Sequence, residues 1–368
     1  MTADNVGGVF TYAVELARAL DLRITLATMG APLSPAQRRA LAALPHVTVE
    51  ESAFRLEWME DPWDDVARAG EWFLGLEARH RPDVVHLNGY AHAALPFRRR
   101  PLVVAHSDVV SWYRAVRGHD PGPEWDRYRA AVAAGLGAAA AIVAPSAAMR
   151  DALAAAYPSI TKRGRVIWNA RDPRPFCGVG PDDKEPFVLA VGRLWDEAKN
   201  LAALVAAAPR VPWPVRVAGE VAPPGRDGRD GDGRAATHNL EPLGRLDPDA
   251  IAALMCRAAV FAHPARYEPF GLAVLEAALA GCALVLGDIP SLRELWDGCA
   301  RFVPPGDVDA LAAAIDDLAG SPRLRHRLAA RARMRAARFT PRRLAAAYRL
   351  LYEELSLDMN ILEPTACA

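Results

Sequence analysis

Residues 263–281 read HPARYEPFGLAVLEAALAG. A polar loop passes into an apolar helix, and two carboxylates, Glu268 and Glu276, mark the passage. Pro269 suits an early helical position, where a missing N–H costs nothing. A helix starting near Phe270 turns the free N–H groups of Phe270, Gly271 and Leu272, and a positive dipole end, toward an anion. Glu276 then falls inside the apolar helix, flanked by Ala273, Leu275, Ala277 and Ala278. A buried carboxylate needs donors. Two ribose hydroxyls would supply them; a core salt bridge with an arginine such as Arg293 is the plain alternative. On either side, AAVFAHP at 258–264 and ALVLG at 283–287 read as strands. Strand, loop, helix and strand in that order make a unit of a parallel α/β sheet.

The same alternation extends in both directions. Toward the C-terminus, helices fill 307–357. Toward the N-terminus, strands are expected at 187–193 (FVLAVGR) and 215–219 (VRVAG), with a helix over 200–209 between them. The stretch 158–186 is rich in Pro, Gly and charge and reads as a domain linker. Before it, helices are expected at 6–20, 35–44 and 62–79. Strands are expected at 23–28, 46–50, 82–88, 101–107 and 139–146. The chain therefore divides into an N-terminal domain over 1–172, a C-terminal domain over 173–338, a helix over 339–357 expected to return to the N-domain, and a tail over 358–368. The low-complexity run PPGRDGRDGDGRAA at 223–236 reads as a mobile loop. Ligands of open parallel sheets bind at the carboxyl ends of the strands. The polar residues there are His86 and Asn88, His106, Arg193, Gly219 and Glu220, and the segment after His263.

In GRLWDEAKN at 192–200, Arg193 follows a strand directly and Lys199 precedes a helix. Two cations at a strand end suit a pyrophosphate, Arg as a planar fork and Lys as a point charge. Only three of the 44 basic residues are lysines, and one of them falls here. A solvated loop with pairing along the chain is the alternative. That lysine-poor, alanine-rich composition also points to GC-rich, bacterial coding.

Together these residues resemble the retaining glycosyltransferases of family 4. Glu268-Pro-Phe-Gly-Leu…Glu276 matches the family's E-x7-E motif, Arg193 and Lys199 its paired phosphate-binding cations, and Gly7-Gly8 its glycine-rich loop. The resemblance covers nearly the whole chain in the right order. It implies a GT-B fold, two Rossmann-like domains with parallel sheets facing a cleft, and a nucleotide-sugar donor held mainly by the C-terminal domain. It also assigns His106, in VVAHSD, to the catalytic histidine; a histidine bonded within its own domain is the alternative. His86 and Asn88 occupy a neighbouring strand end and are read as acceptor-side residues. Asp108 and Trp112 follow His106 and could shape the acceptor pocket, although Trp112 is equally suited to packing.

The expected chemistry follows from the donor. A nucleotide diphosphate leaves an anomeric carbon through an oxocarbenium-like transition state. Arg193, Lys199 and the helix N-termini at 7–9 and 270–272 would stabilise the departing phosphate. Glu268 would hold donor sugar hydroxyls. No divalent metal and no cofactor are expected, and Asp64-Asp65 and Asp182-Asp183 are read as surface acids. The alternatives are a GT-B enzyme that epimerises or hydrolyses a sugar nucleotide, or a non-catalytic nucleotide-sugar-binding protein.

Composition excludes several other classes. Forty-four basic residues balance 44 acidic ones, so the chain is no strongly basic nucleic-acid binder. Five cysteines without paired spacing argue against a disulfide scaffold or a structural zinc, and for a reducing, cytoplasmic location. The arginine-rich run 323–343 reads as a solvated helix face; contact with an anionic membrane at the inner face is the sharper alternative. The base, sugar and acceptor are not named by the sequence.

One expectation concerns the start of the chain. A Rossmann-like half opens with a strand that feeds its glycine-rich loop. Only MTADN precedes Val6-Gly7-Gly8, and of these Asp4 and Asn5 are poor strand formers. The first strand is therefore expected to be missing, either encoded upstream of Met1 or replaced by another segment such as 358–364.

Overall fold

The structure, a computed structural model, describes residues 1–158, 164–176, 180, 183–219 and 238–360, excepting the side chains of 358–360. The run 223–236, the tail 361–368, Cys177, Asp182, Glu220 and Cys367 lie outside the described residues.

The described elements alternate from the start. They run β1 (Thr2–Asp4), α1 (Gly8–Leu20), β2 (Ile24–Met29), α2 (Pro35–Ala42), β3 (Val47–Glu51), α3 (Trp63–His80), β4 (His86–Leu87), β5 (Leu102–Val104), α4 (Val109–Arg117), α5 (Asp126–Ala138), β6 (Ala141–Ala144), α6 (Ala147–Ala156) and β7 (Arg165–Val166). The order continues with β8 (Glu185–Val191), α7 (Leu201–Ala207), β9 (Val215–Ala218), β10 (Leu240–Gly244), α8 (Pro248–Arg257), β11 (Ala258–His263), α9 (Leu272–Leu279), β12 (Ala283–Gly287), α10 (Pro290–Trp296) and β13 (Ala300–Val303). Three helices close it: α11 (Val308–Gly320), α12 (Pro322–Ala336) and α13 (Pro341–Asn360). Ser321 and Pro341 divide the expected helical stretch 307–357, because the Ser321 side chain caps α12 and a proline fits a first helical turn.

Contacts divide the chain into two compact units. One holds Met1–Arg114, His119–Ala170 and the chain from Pro341; the other holds Ala115–Gly118 and Arg171–Thr340. In the first unit, α13 lays Leu344, Tyr348 and Leu351 on Tyr12, Leu16 and Leu20 of α1. Burying each such side chain contributes about 1.5–3 kcal/mol.

The second unit is built on a six-stranded sheet in the order β10-β9-β8-β11-β12-β13, with every pair parallel. Alternate residues serve opposite faces. Phe187, Leu189, Phe261, Leu284 and Leu286 pack into one core, and Val188, Ala190, Val260, Ala262 and Val285 into the other. Both faces are covered, so these strands read as continuous apolar runs rather than alternating ones.

The first strand of the N-terminal unit is present, which corrects the expectation that it is missing. Thr2, Ala3 and Asp4 pair in parallel with Ala27, Thr28 and Met29 of β2. The ladder is extended by Ala27 N–H donating to Met1 O (2.9 Å) and Asn5 N–H donating to Met29 O (3.0 Å). Position in the sheet outweighs local preference here: Ala3 is fully buried, and small side chains fit the space. The strands of this unit form two ladders, β1-β2-β3 and β4-β5-β6-β7. Between β1 and β4, the Asn88 backbone N–H donates to Thr2 Oγ1 (2.8 Å) and the Asn88 side-chain amide to the Thr2 carbonyl (2.6 Å). Side-chain bonds thus serve where a backbone ladder would run.

Candidate functional site

The strand order of the second unit decides where a ligand can sit. Relative to the chain it is 3-2-1-4-5-6, the doubly wound order. Its crevice opens at the carboxyl ends where the order reverses, between β8 and β11. β8 leads into Gly192 and Arg193, and β11 into Pro264 to Gly271, so the two motifs from the sequence converge at the switch point. Gly219, just beyond β9, is required to be glycine. Its φ is +154°, and a Cβ there would lie 1.7 Å from the Gly192 carbonyl oxygen.

Lys199 and Glu268 meet directly. Lys199 Nζ lies 2.7 Å from Glu268 Oε2, and His263 Nε2 lies 3.1 Å from the same oxygen. Burial would by itself raise the Glu268 carboxyl, but the Lys199 charge and the His263 contact outweigh it and hold the group well below the usual carboxylate range. The backbone around the pair is fastened. Ser291 Oγ donates to Glu268 O at 2.5 Å, and Arg266 N–H donates to Ala198 O at 2.8 Å. The buried Asn200 amide donates to Pro264 O (2.9 Å) and Pro305 O (2.6 Å).

Arg193 is placed beside this pair in sequence but is tied elsewhere. Its guanidinium meets Asp196 at 2.7 Å and stands over the Trp195 ring at 5.2 Å. The helix expected near Phe270 begins at Leu272, with Gly271 as its N-cap at φ 86° and Phe270 buried in the core. A side chain at Gly271 would be strained by that φ and would press on Val274.

Glu276 has a partner within the unit, but a different one from the arginine expected. Arg171 Nε donates to Glu276 Oε1 at 2.5 Å, from the segment that opens the second unit. Arg293 instead bonds Asp288 (2.6 Å) and Asp297 (3.2 Å).

In the N-terminal unit, Gly7 caps α1 with φ 94°, and Gly7 and Gly8 are both exposed. His86, Asn88 and His106 come together. Asn88 Oδ1 lies 2.9 Å from His106 Nε2 and 3.3 Å from His86 Nε2. His86 is buried and its Nδ1 lies 2.7 Å from the Tyr352 hydroxyl. Burial pushes the His106 imidazole down to about 3, and His86 is also lowered, chiefly by burial. Asp108 is not with them. It is buried, accepts from Ser111 N–H at 2.8 Å and from Tyr157 Oη at 2.8 Å, and so anchors the start of α4. Trp112 packs against Tyr113. Asp65 sits in the first turn of α3 and accepts from Arg55 N–H at 3.0 Å.

The comparisons with known proteins agree with this layout. The model for Glycosyltransferase Family 4 matches residues 6–174, and that for Glycosyl transferases group 1 matches residues 178–335. The chain belongs to glycosyltransferase family 4. It is 31% identical over 284 residues to a glycogen synthase of Mycobacterium tuberculosis, covering 71% of this chain and 66% of that one. Its fold resembles that of sucrose-phosphate synthase from Thermosynechococcus elongatus, with a TM-score of 0.80 at 22% identity over 97% of this chain and 96% of that chain. It also resembles HepE of Anabaena, solved in complex with UDP and glucose, with a TM-score of 0.71 at 18% identity over 96% of this chain and 100% of that chain. The architecture is GT-B, two Rossmann-like α/β domains.

Several residues that shape this family 4 site carried little signal in the sequence. Ser291 and Arg171 reach Glu268 and Glu276 from elements distant in the chain, so no local motif marks them. Asn200 follows Lys199 and has φ 56°, a conformation asparagine tolerates, but only the fold reveals which carbonyls it holds.

Proposed function

We propose that this chain is a retaining glycosyltransferase that moves a sugar from a nucleotide-diphosphate sugar to an acceptor hydroxyl without a divalent metal. The observation that carries the proposal is the Lys199–Glu268 contact at the switch point of the second unit's sheet. A cation there suits a diphosphate, and an ionised carboxylate beside it suits the hydroxyls of the attached sugar. As the glycosidic bond breaks, negative charge grows on the leaving diphosphate. Lys199 and the N–H groups at Phe270, Gly271 and Leu272 would stabilise it from where they stand, and Arg193 would join them by exchanging its bond to Asp196 for the phosphate. Glu276, oriented by Arg171, would accept from the ribose hydroxyls. In the N-terminal unit, Gly7 and Gly8 free the first turn of α1 for an anion, and His106 would meet the transferring sugar.

The matched relative is a glycogen synthase and a structural neighbour was solved with UDP and glucose, which supports a nucleotide-sugar donor. No described helix is long and apolar enough to cross a membrane. We place the protein in a reducing, cytoplasmic compartment, with the arginine-rich run 323–343 as the face for any peripheral contact with the inner membrane. The test is a thermal-shift screen of UDP, GDP, ADP and dTDP sugars, since a ligand that binds only the folded state raises apparent stability. Product analysis with candidate acceptors then separates transfer from hydrolysis or epimerisation. A chain stabilised by none of these nucleotides would overturn the proposal.

A further inference from the structure

The orientation of one amide fixes the hydrogen-bonding state of two imidazoles. Asn88 Nδ2 lies 2.6 Å from the Thr2 carbonyl oxygen, which can only accept. The amide nitrogen must therefore face Thr2, and Oδ1 must face the histidines. That oxygen can only accept as well, and His106 Nε2 lies 2.9 Å from it. The proton of His106 is consequently on Nε2. The Asn88 backbone N–H, bonded to Thr2 Oγ1 at 2.8 Å, holds the side chain's base in place.

The neighbouring groups agree with this state. His86 Nε2 shares the same oxygen at 3.3 Å, while its Nδ1 faces the Tyr352 hydroxyl at 2.7 Å. Tyr352 stays protonated because burial lifts it well above its ordinary value, so it donates and His86 Nδ1 accepts. Tyr12 of α1 meets the His106 ring edge-on at 4.5 Å, and it too keeps its proton through burial. Tyr348 of α13 stacks on His86. The Met1 amino group also faces His86, but burial lowers it to about 5, so at pH 7 it is largely uncharged, and burial is the main reason His86 stays neutral.

We propose that Asn88, clamped by Thr2, is a positioning residue that locks His106 as the Nε2–H tautomer, so that the ring offers a substrate only the Nδ1 lone pair. Its relevance to catalysis rests on the placement of His106 at the transferring sugar. In this state His106 accepts a hydrogen bond from a sugar hydroxyl and orients it. It does not protonate the leaving group. Asn88 then acts through His106 rather than by touching the acceptor.

The tautomer is read directly by NMR of the full chain labelled with ¹⁵N-histidine, with His106→Gln to assign the signal. At pH 7 the His106 signals should show a protonated Nε2 and a bare Nδ1, unchanged down to pH 5. Asn88→Asp keeps the acceptor oxygen but adds a charge, which favours the imidazolium. His106 should then titrate at higher pH, and kcat should fall about tenfold between pH 8 and pH 5.5 with the donor KM nearly constant. Asn88→Leu should leave a mixture of tautomers. A wild-type His106 protonated on Nδ1 or on both nitrogens at pH 7 would overturn the proposal. So would an Asn88→Leu chain with the wild-type tautomer. Because these spectra need no turnover, a locked tautomer in a chain that transfers no sugar from any donor would support the assignment and sink only the functional reading it serves.

Discussion

Lys199 Nζ and Glu268 Oε2 lie 2.7 Å apart across 69 residues of sequence. The contact exists because β8 and β11, though far apart in the chain, are neighbours in the sheet and deliver their following loops to the same edge. Both side chains are mostly buried, so each depends on the other. Removing one member of such a pair costs about 3 kcal/mol of stability, because the remaining charge is left uncompensated. Lys199→Ala and Glu268→Gln should each show that loss in urea unfolding. The double change Lys199→Met with Glu268→Gln should recover much of it, yet remain inactive. Recovery of turnover in the double variant would show the pair to be structural only.

The phosphate assignment is tested by kinetics. Arg193→Ala and Lys199→Ala should each lower kcat/KM by an amount equivalent to ~2–4 kcal/mol, the usual scale for losing one preorganised stabiliser of developing charge. For Arg193 the bond to Asp196 must be exchanged for the substrate, so Asp196→Asn should affect KM more than kcat. Near-wild-type turnover in both alanine variants would remove the pyrophosphate from this site.

Glu276 and Arg171 make a separable pair. Arg171 orients the carboxylate through Oε1, and the proposed ligands are the ribose hydroxyls. Glu276→Gln should weaken binding of free nucleotide as well as of nucleotide sugar, whereas Glu268→Gln should weaken chiefly the sugar-bearing ligand. Isothermal titration with both ligands measures this. Equal affinity of wild type and Glu276→Gln for free nucleotide would contradict the ribose role.

The proposed metal independence rests on the same charges. In that reading Lys199, Arg193 and the first turn of α9 would supply the positive field that a divalent ion supplies elsewhere. Transfer should therefore persist in excess chelator. Loss of activity in EDTA, restored by Mn²⁺ or Mg²⁺, would show that the fixed charges do not suffice.

Much of this was legible in the sequence because it is local. The strands of the second unit are apolar on both faces, so their runs stand out, and Glu268, Gly271 and Glu276 share one short motif. The first strand was not legible. Ala3 and Asp4 have weak strand preference and Thr2 alone is too short a signal, so the conformation comes from β2 on one side and Asn88 on the other. Asp108 shows the opposite failure. A carboxylate four residues after the end of β5 looks like a ligand-facing group, yet three hydrogen-bond donors from α4, α5 and the end of α6 fold around it. The arginine that meets Glu276 could not be chosen from sequence either, since residues 171 and 276 are joined only by tertiary packing.

The final prediction concerns acid. His86, His92 and His106 are each held below the ordinary histidine value, in each case chiefly by burial, and His106 down to about 3. In the unfolded chain the same groups take a proton near pH 6.5. Below that pH the unfolded state binds more protons than the folded one, so stability falls as pH falls. The slope is about 1.4 kcal/mol per pH unit for each histidine that stays neutral in the fold. For His106 the loss continues until the pH reaches about 3. Glu57 and Asp108 act in the opposite sense. Burial raises both, so near their folded values the native state binds the extra proton and part of the loss is offset. Urea unfolding at pH 7.5, 6.5 and 5.5 should therefore show a marked decline below pH 6.5. His92 lies away from the Asn88 cluster and bonds the Val66 carbonyl at 2.9 Å, which makes it the clean probe. His92→Gln should reduce the slope, by at most about 1.4 kcal/mol per pH unit, whatever it does to stability at pH 7.5. An unchanged slope would mean that His92 gains its proton without unfolding.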